Sequence, residues 1–133
     1  MAKHSADMKR IPIKHVRDKA KARYNKGTSC EICAVTEQLD FHHYYTLTPL
    51  FEKWCRTNKV SVATDEEVIA IRDQFIAEHE KELYQDTVTL CHSHHMKLHS
   101  VYGKDPTLAT AEKQKNWVRI QKEKLDEARK LAN

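Results

Sequence analysis

A chain of 133 residues has room for one domain and a modest hydrophobic core. Apolar residues make up 40% and charged residues 32%, with only two glycines and three prolines, which excludes collagen-like, mucin-like and flexible-linker architectures and favours helix. The net charge of +4 is unevenly spread: residues 1–26 hold nine basic groups against two acidic ones, and the remainder is slightly acidic, a plausible phosphate-binding footprint at one end.

Ile13, Val16, Ala20 and Tyr24 recur at helical spacing, so a basic amphipathic helix is expected over 13–26, ending at Gly27. Cys30-x-x-Cys33 follows, and 39–45 reads as a short extended stretch. Thr48-Pro49 opens a helix to about residue 56, with Thr as cap, Pro in the first turn and Cys55 packed beside Trp54. Thr64-Asp65-Glu66-Glu67 is a capping box with acids suited to the helix dipole. Behind it Val68, Ile71, Phe75, Ile76 and Leu83 mark one buried face, with His79 at its edge. Val88-Thr89-Leu90 reads as a brief strand entering Cys91, and 95–101 as a helix stopped by Gly103-Lys104-Asp105-Pro106. A last helix runs from 107 or 110 to 131, with Trp117, Ile120, Leu125, Ala128 and Leu131 inward and mixed charges on a solvated face.

No apolar run approaches the roughly 18 residues of a membrane span, and no signal-peptide segment is seen. We therefore expect a soluble cytoplasmic protein without a membrane partner, whose four cysteines are not disulfides. Cys30 and Cys33 can present two thiolates to one metal, and Cys91 with His94 repeats that spacing. A structural zinc on these four would tie residue 30 to residue 94 and contribute on the order of 10 kcal/mol to folding. His92 breaks the spacing and is the weaker fourth ligand.

Histidines form a second constellation. His95 and His99, four apart on a helix, face the same way. One of His42 and His43 completes a three-histidine metal site, because neighbours on a strand point to opposite faces. The other is left free as a base with a pKa near neutrality.

Taken in order, Cys-x2-Cys, Asp-Phe-His-His, Asp-Thr-Val-Thr-Leu-Cys-His-Ser-His-His and Lys-Leu-His resemble the HNH endonucleases, the ββα-metal or His-Me finger class. Residues 28–46 and 85–100 carry the likeness. The pattern is similar to the zinc-stapled HNH proteins of phages, mobile elements and restriction systems, and the histidine arrangement is similar to that of colicin-type DNases. The resemblance implies a small α+β fold: a ββα-metal finger core with structural zinc, a helical insertion, and flanking N- and C-terminal helices. One nuclease domain would then span the chain, with a basic arm and helix at 1–27, the core at 28–47 and 85–103, the insertion at 48–84 and the last helix at 104–133.

By position, the resemblance makes His43 the general base and His42, His95 and His99 the ligands of a catalytic divalent metal (Mg, Mn, Ni or Zn). Asp86 takes the place of the family's middle Asn, bracing the loop and orienting the base. Its charge is expected to raise the pKa of His43 and to hinder phosphate approach. Asp40, two residues before His42, is expected to hold a metal-binding histidine from behind. Arg17, Lys21 and Arg23 on the first helix, and Lys97 between the metal histidines, are candidate phosphate contacts. Tyr44 and Tyr45 are candidates for stacking on bases or sugars, one of them at least being structural.

The implied activity is metal-dependent hydrolysis or nicking of double-stranded DNA, leaving 5′-phosphate and 3′-hydroxyl ends, inside the host cell if phage-encoded. The alternative is a non-catalytic zinc-stapled nucleic-acid-binding module, or a nuclease subunit active only within a larger protein complex. A hydrolase of small substrates is disfavoured, since nothing glycine-rich or apolar suggests a ligand pocket.

Overall fold

The computed structural model describes residues 12–132, so the part of the basic arm before Pro12 lies outside the described residues. Helix α1 spans Lys14–Lys21 and buries Val16 and Ala20. It is shorter than the expected 13–26 because the chain leaves the helix to lay Tyr24 on β1, where its ring stacks on Phe41 at 4.7 Å. Gly27 is therefore not a helix end. Its backbone passes close to β2 instead, with its N–H donating to Thr89 Oγ1 at 2.7 Å, and a Cβ there would stand 3.1 Å from the same oxygen.

Strands β1 (Leu39–His43) and β2 (Thr87–Cys91) form an antiparallel two-stranded sheet that pairs His42 with Val88 and His43 with Thr87. Between them run helix α2 (Leu47–Asn58), helix α3 (Asp65–Glu78) and a π-helical turn (Lys81–Gln85). Helix α4 (His92–Tyr102) follows β2 directly, and a 3-10 turn (Leu108–Thr110) leads into helix α5 (Ala111–Ala132). The architecture is small α+β and mostly helical. No helix among the described residues is long and apolar enough to cross a membrane.

The capping box at α3 is present, Thr64 and Glu67 each bonding the other's backbone. At α2 the N-cap is Thr46 rather than Thr48, and Thr46 spends its hydroxyl on the Pro106 carbonyl at 2.6 Å. The last helix also differs from expectation: Ala111, Gln114 and Val118 are its buried residues, whereas Ala128 and Leu131 are exposed. Its final turns run past the small core they would have to cover.

Two apolar clusters hold the chain. The first joins Val16 and Ala20 of α1 to Leu50, Phe51, Trp54 and Cys55 of α2, and to Val68, Phe75 and Ile76 of α3. Phe75 meets Phe51 edge-on at 4.9 Å and Trp54 at 5.6 Å, and His79 stacks on Phe75 at 4.3 Å, an edge packing residue. The segment between the strands is thus a core in its own right, closed by the N-terminal helix. The second cluster is smaller: Ile32, Tyr44, Leu90, Leu98, Ala111 and Val118, with Cys30 and Cys91 among them. Half-buried Tyr45 touches both clusters. Tyr44 is buried and is therefore the structural one of the pair, while Tyr45 is half-buried.

Candidate active site

Cys30, Cys33, Cys91 and His94 converge at one end of the sheet. The first pair sits on a tight turn in which the Ala34 N–H returns to the Cys30 carbonyl at 2.9 Å and Ala34 takes a left-handed φ of 68°. Cys91 caps α4, accepting from the His94 N–H, so the i, i+3 pair lies on the first turn of that helix. Cys33 Sγ and Cys91 Sγ are 3.9 Å apart; His94 Nδ1 is 3.3 Å from Cys91 Sγ and 3.8 Å from Cys30 Sγ. Tetrahedral zinc with metal–sulfur bonds of about 2.3 Å has sulfur–sulfur edges near ~3.8 Å. The four cysteines, Cys55 included, are free thiols. Burial opposes ionisation of Cys30, but the backbone N–H groups of Cys91, Cys33 and Ile32 outweigh it and hold that thiol below its ordinary value. The group fits a structural metal such as zinc.

His42, His95 and His99 converge separately. His42 Nδ1 lies 3.1 Å from His95 Nε2, which lies 3.0 Å from His99 Nε2. Behind the trio, His95 Nδ1 meets Asp40 Oδ2 at 3.0 Å and His99 Nδ1 meets the Gly103 carbonyl at 2.8 Å. A carbonyl only accepts. Burial opposes ionisation of Asp40, but hydrogen bonds from His92 and His95 hold its pKa below the ordinary value, so it too is an acceptor. Both rings therefore carry a proton on Nδ1, and in their neutral forms they turn Nε2 lone pairs toward each other. Two lone pairs at 3.0 Å repel unless a cation stands among them, and about 3 Å is the separation of two imidazole ligands set at right angles on one ion. The donor set fits a divalent metal. Burial, followed by the neighbouring histidine charges, pushes His42 down to about 4 against the opposing Gln114 hydrogen bond, so it is neutral at pH 7. On the outer side, His95 and His99 line a hollow of about 430 Å³ with Met96, Ser100 and Lys104.

His43 faces away from the trio, as strand alternation requires. Its ring stands edge-on to Tyr24 at 4.7 Å and to Phe41 at 5.1 Å, and its Nε2–H donates to the Leu83 carbonyl at 3.1 Å. That carbonyl belongs to the π-helical turn, a local irregularity of the kind that frees backbone groups for sites. Nδ1 is left with its lone pair, and burial lowers the pKa of the ring despite the Leu83 bond.

Asp86 corrects an expectation. Its carboxylate does not reach His43 but is clamped by Lys81 Nζ at 2.7 Å and Lys115 Nζ at 2.9 Å, while its backbone carbonyl accepts from the Tyr44 N–H at 3.1 Å. Two ammonium groups offer far more than one half-buried imidazole, and the orienting bond on His43 comes from Leu83 instead. Burial lowers the pKa of His43, with no contribution from Asp86 to raise it, and the charge at 86 is paired with the two lysines. Burial pushes the Asp86 pKa up, but the lysine hydrogen bonds win and hold it below 3.8. Stability drawn from this pairing is full above the unfolded value and is lost as pH falls through the lower folded one. Replacing Asp86 with Asn at pH 7 is expected to cost about 1–3 kcal/mol, since the ion pairs with Lys81 and half-buried Lys115 are lost and Lys115 keeps only the exposed Glu112. A thermal melt equal to that of the wild type would contradict this.

The basic candidates divide. Arg17 is exposed; burial raises the Tyr24 phenol pKa and the Arg17 charge only partly opposes it, which sets Arg17 near the ring that meets His43 edge-on. Lys21 is exposed and 3.6 Å from Asp18. Arg23 is engaged with Glu80 at 2.9 Å and lies 4.4 Å over the Tyr84 ring. Lys97 is exposed on the side of α4 toward His94, whose pKa its charge helps to lower after burial, and not beside His95 and His99. A larger hollow of about 870 Å³ contains none of the histidine trio, and its Lys115, Arg119 and Lys122 are already paired with acids. Three groups escaped sequence reasoning: the Leu83 carbonyl, the lysine clamp on Asp86, and Gln114, fully buried in α5 with Oε1 2.8 Å from His42 Nε2. Only Gln114 carries a signal in the sequence, a polar residue at helical spacing between Ala111 and Val118.

No solved structure matches this chain. The family model described as the nicking endonuclease family, of phage T5, matches residues 1–130. Since that match covers nearly the whole of the 133 residues, the chain belongs to the phage T5 nicking endonuclease family and is a DNA-nicking nuclease.

Proposed function

We propose that the chain nicks DNA by metal-dependent hydrolysis on an HNH-type ββα-metal core, with His43 as general base and His42, His95 and His99 holding the catalytic ion. The whole chain acts as one nuclease domain, stapled by zinc on Cys30, Cys33, Cys91 and His94. The observation that carries this reading is the convergence of His95 Nε2 and His99 Nε2 at 3.0 Å, with His42 Nδ1 beside them at 3.1 Å.

When bound, the ion supplies positive charge for the phosphate and the departing oxygen. The protein's own groups do the rest. His43, its Nε2–H spent on Leu83, offers Nδ1 to take a proton from water. The resulting hydroxide attacks phosphorus opposite the 3′ oxygen, the P–O3′ bond breaks, and the 3′ oxygen leaves as a hydroxyl once protonated by solvent. The products are a 5′-phosphate and a 3′-hydroxyl. Asp40 holds His95 from behind, and Asp86 braces the loop after His43 through its backbone carbonyl. Arg17 and Lys21, with Lys104 beside the trio, are placed to meet backbone phosphates, whereas Arg23 and Lys97 are weaker candidates for the reasons of geometry given above.

The test is supercoiled plasmid incubated with protein and Mg, Mn, Ni or Zn, or with EDTA. Open-circular product is expected with at least one ion and not with EDTA, and DNA ligase should reseal it, since ligase needs those two ends. Cleavage indifferent to EDTA, or nicks refractory to ligase, would refute the mechanism. DNA retarded in a gel but uncut with every ion would favour the binding module or partner-dependent subunit.

A further inference from the structure

His42 reaches the trio from β1, and either of its ring nitrogens can carry the proton in principle. Only a lone pair on Nδ1 makes it a ligand, because Nδ1 is the atom turned to His95. The choice is made outside the sheet, on the C-terminal helix. Gln114 is completely buried and places Oε1 2.8 Å from His42 Nε2. An amide can be turned end for end, but this one is fixed by a chain of bonds with one sense. The Thr107 carbonyl only accepts, so the Thr110 hydroxyl gives it its proton at 2.7 Å. Thr110 Oγ1 is then an acceptor, and the Gln114 amide nitrogen donates to it at 2.9 Å and to the Tyr44 carbonyl at 3.3 Å. Gln114 Oε1 is left to accept, and His42 must protonate Nε2.

We propose that Gln114 is a positioning residue that sets the tautomer of His42 and, through it, the affinity of the histidine trio for a divalent ion. The second half rests on the metal-centre reading; the first does not. A nuclease core of two strands and one helix would then be incomplete without α5, which supplies the acceptor for its first histidine.

Two replacements of similar volume separate positioning from packing: Gln114→Leu, which cannot accept, and Gln114→Glu, which can. In protein carrying one equivalent of zinc, long-range proton–nitrogen NMR is expected to show His42 protonated at Nε2 in the wild type and in Gln114→Glu, and at Nδ1 or as a mixture in Gln114→Leu. Calorimetric affinity for added Ni2+ is expected to fall about 10–100-fold in Gln114→Leu and to be kept in Gln114→Glu. A His42 that stays protonated at Nε2 in Gln114→Leu, or Ni2+ binding that does not weaken there, overturns the role of Gln114. A wild type that takes up no second metal ion overturns the metal-centre reading and with it the affinity claim, while the NMR comparison still decides the tautomer.

Discussion

His43→Ala is expected to slow plasmid nicking by about 10²–10⁴-fold, the usual worth of a positioned general base. The loss should fall on the rate with saturating DNA more than on binding, because the proposed task of His43 is to take a proton from water rather than to hold phosphate. His43 lies on the opposite strand face from the trio, so removing its ring leaves His42, His95 and His99 with all their outer hydrogen bonds. Metal content should therefore be unchanged. Some stability will go with the contacts to Tyr24 and Phe41 and the bond to Leu83, which a thermal melt would register separately. A folded His43→Ala protein with normal metal content and undiminished nicking would remove His43 from the chemistry.

The second large effect concerns the four-residue site. Substituting Cys30 and Cys91 with Ser is expected to release one equivalent of zinc and to unfold the sheet and α4. The reason is one of scale. Metal bound to such a site contributes on the order of 10 kcal/mol, comparable to the whole stability of a small domain. The cluster around it buries few large side chains, Ile32, Tyr44, Leu90 and Leu98, with Tyr102, Trp117 and Leu125 only half-buried against them. Cys91 is also the N-cap of the helix that carries His95 and His99, so its loss frees the start of that helix. The helical cluster of α1, α2 and α3 has its own aromatic core and is expected to keep much of its helicity. Circular dichroism should show partial loss of structure, and zinc assay should show loss of metal. A double variant that melts cooperatively at the wild-type temperature without zinc would show that the site does not staple the fold.

The lysine clamp on Asp86 bears on the proposed HNH-type reading, in which an Asn is expected at that place. A bare carboxylate near an incoming phosphodiester would repel it, and the sequence alone leaves that charge in view. In the fold, Lys81 and Lys115 both reach it, and Lys115 also pairs with Glu112 at 2.9 Å. Under that proposal an Asp paired with two lysines stands in for the Asn, its charge balanced by theirs.

What the sequence by itself determined is whatever depends on short spacings. Cys30 with Cys33, Cys91 with His94, and His95 with His99 are each close in the chain, and turn and helix geometry make them neighbours in any fold that keeps those elements. Strand alternation separated His42 from His43 in the same local way, and the Thr64–Glu67 box announced α3. Tertiary structure alone decided which partners fix these groups. The Gln114 oxygen that meets His42 is 72 residues away, Lys115 is 29 from Asp86, and the acceptor for His43 is a backbone carbonyl 40 residues on, which no side-chain pattern can signal. It also decided that α1 seals the helical segment between the strands into a core of its own. Local backbone geometry repeats wherever the spacing repeats, whereas a hydrogen bond across the chain exists only once packing has brought its two ends together.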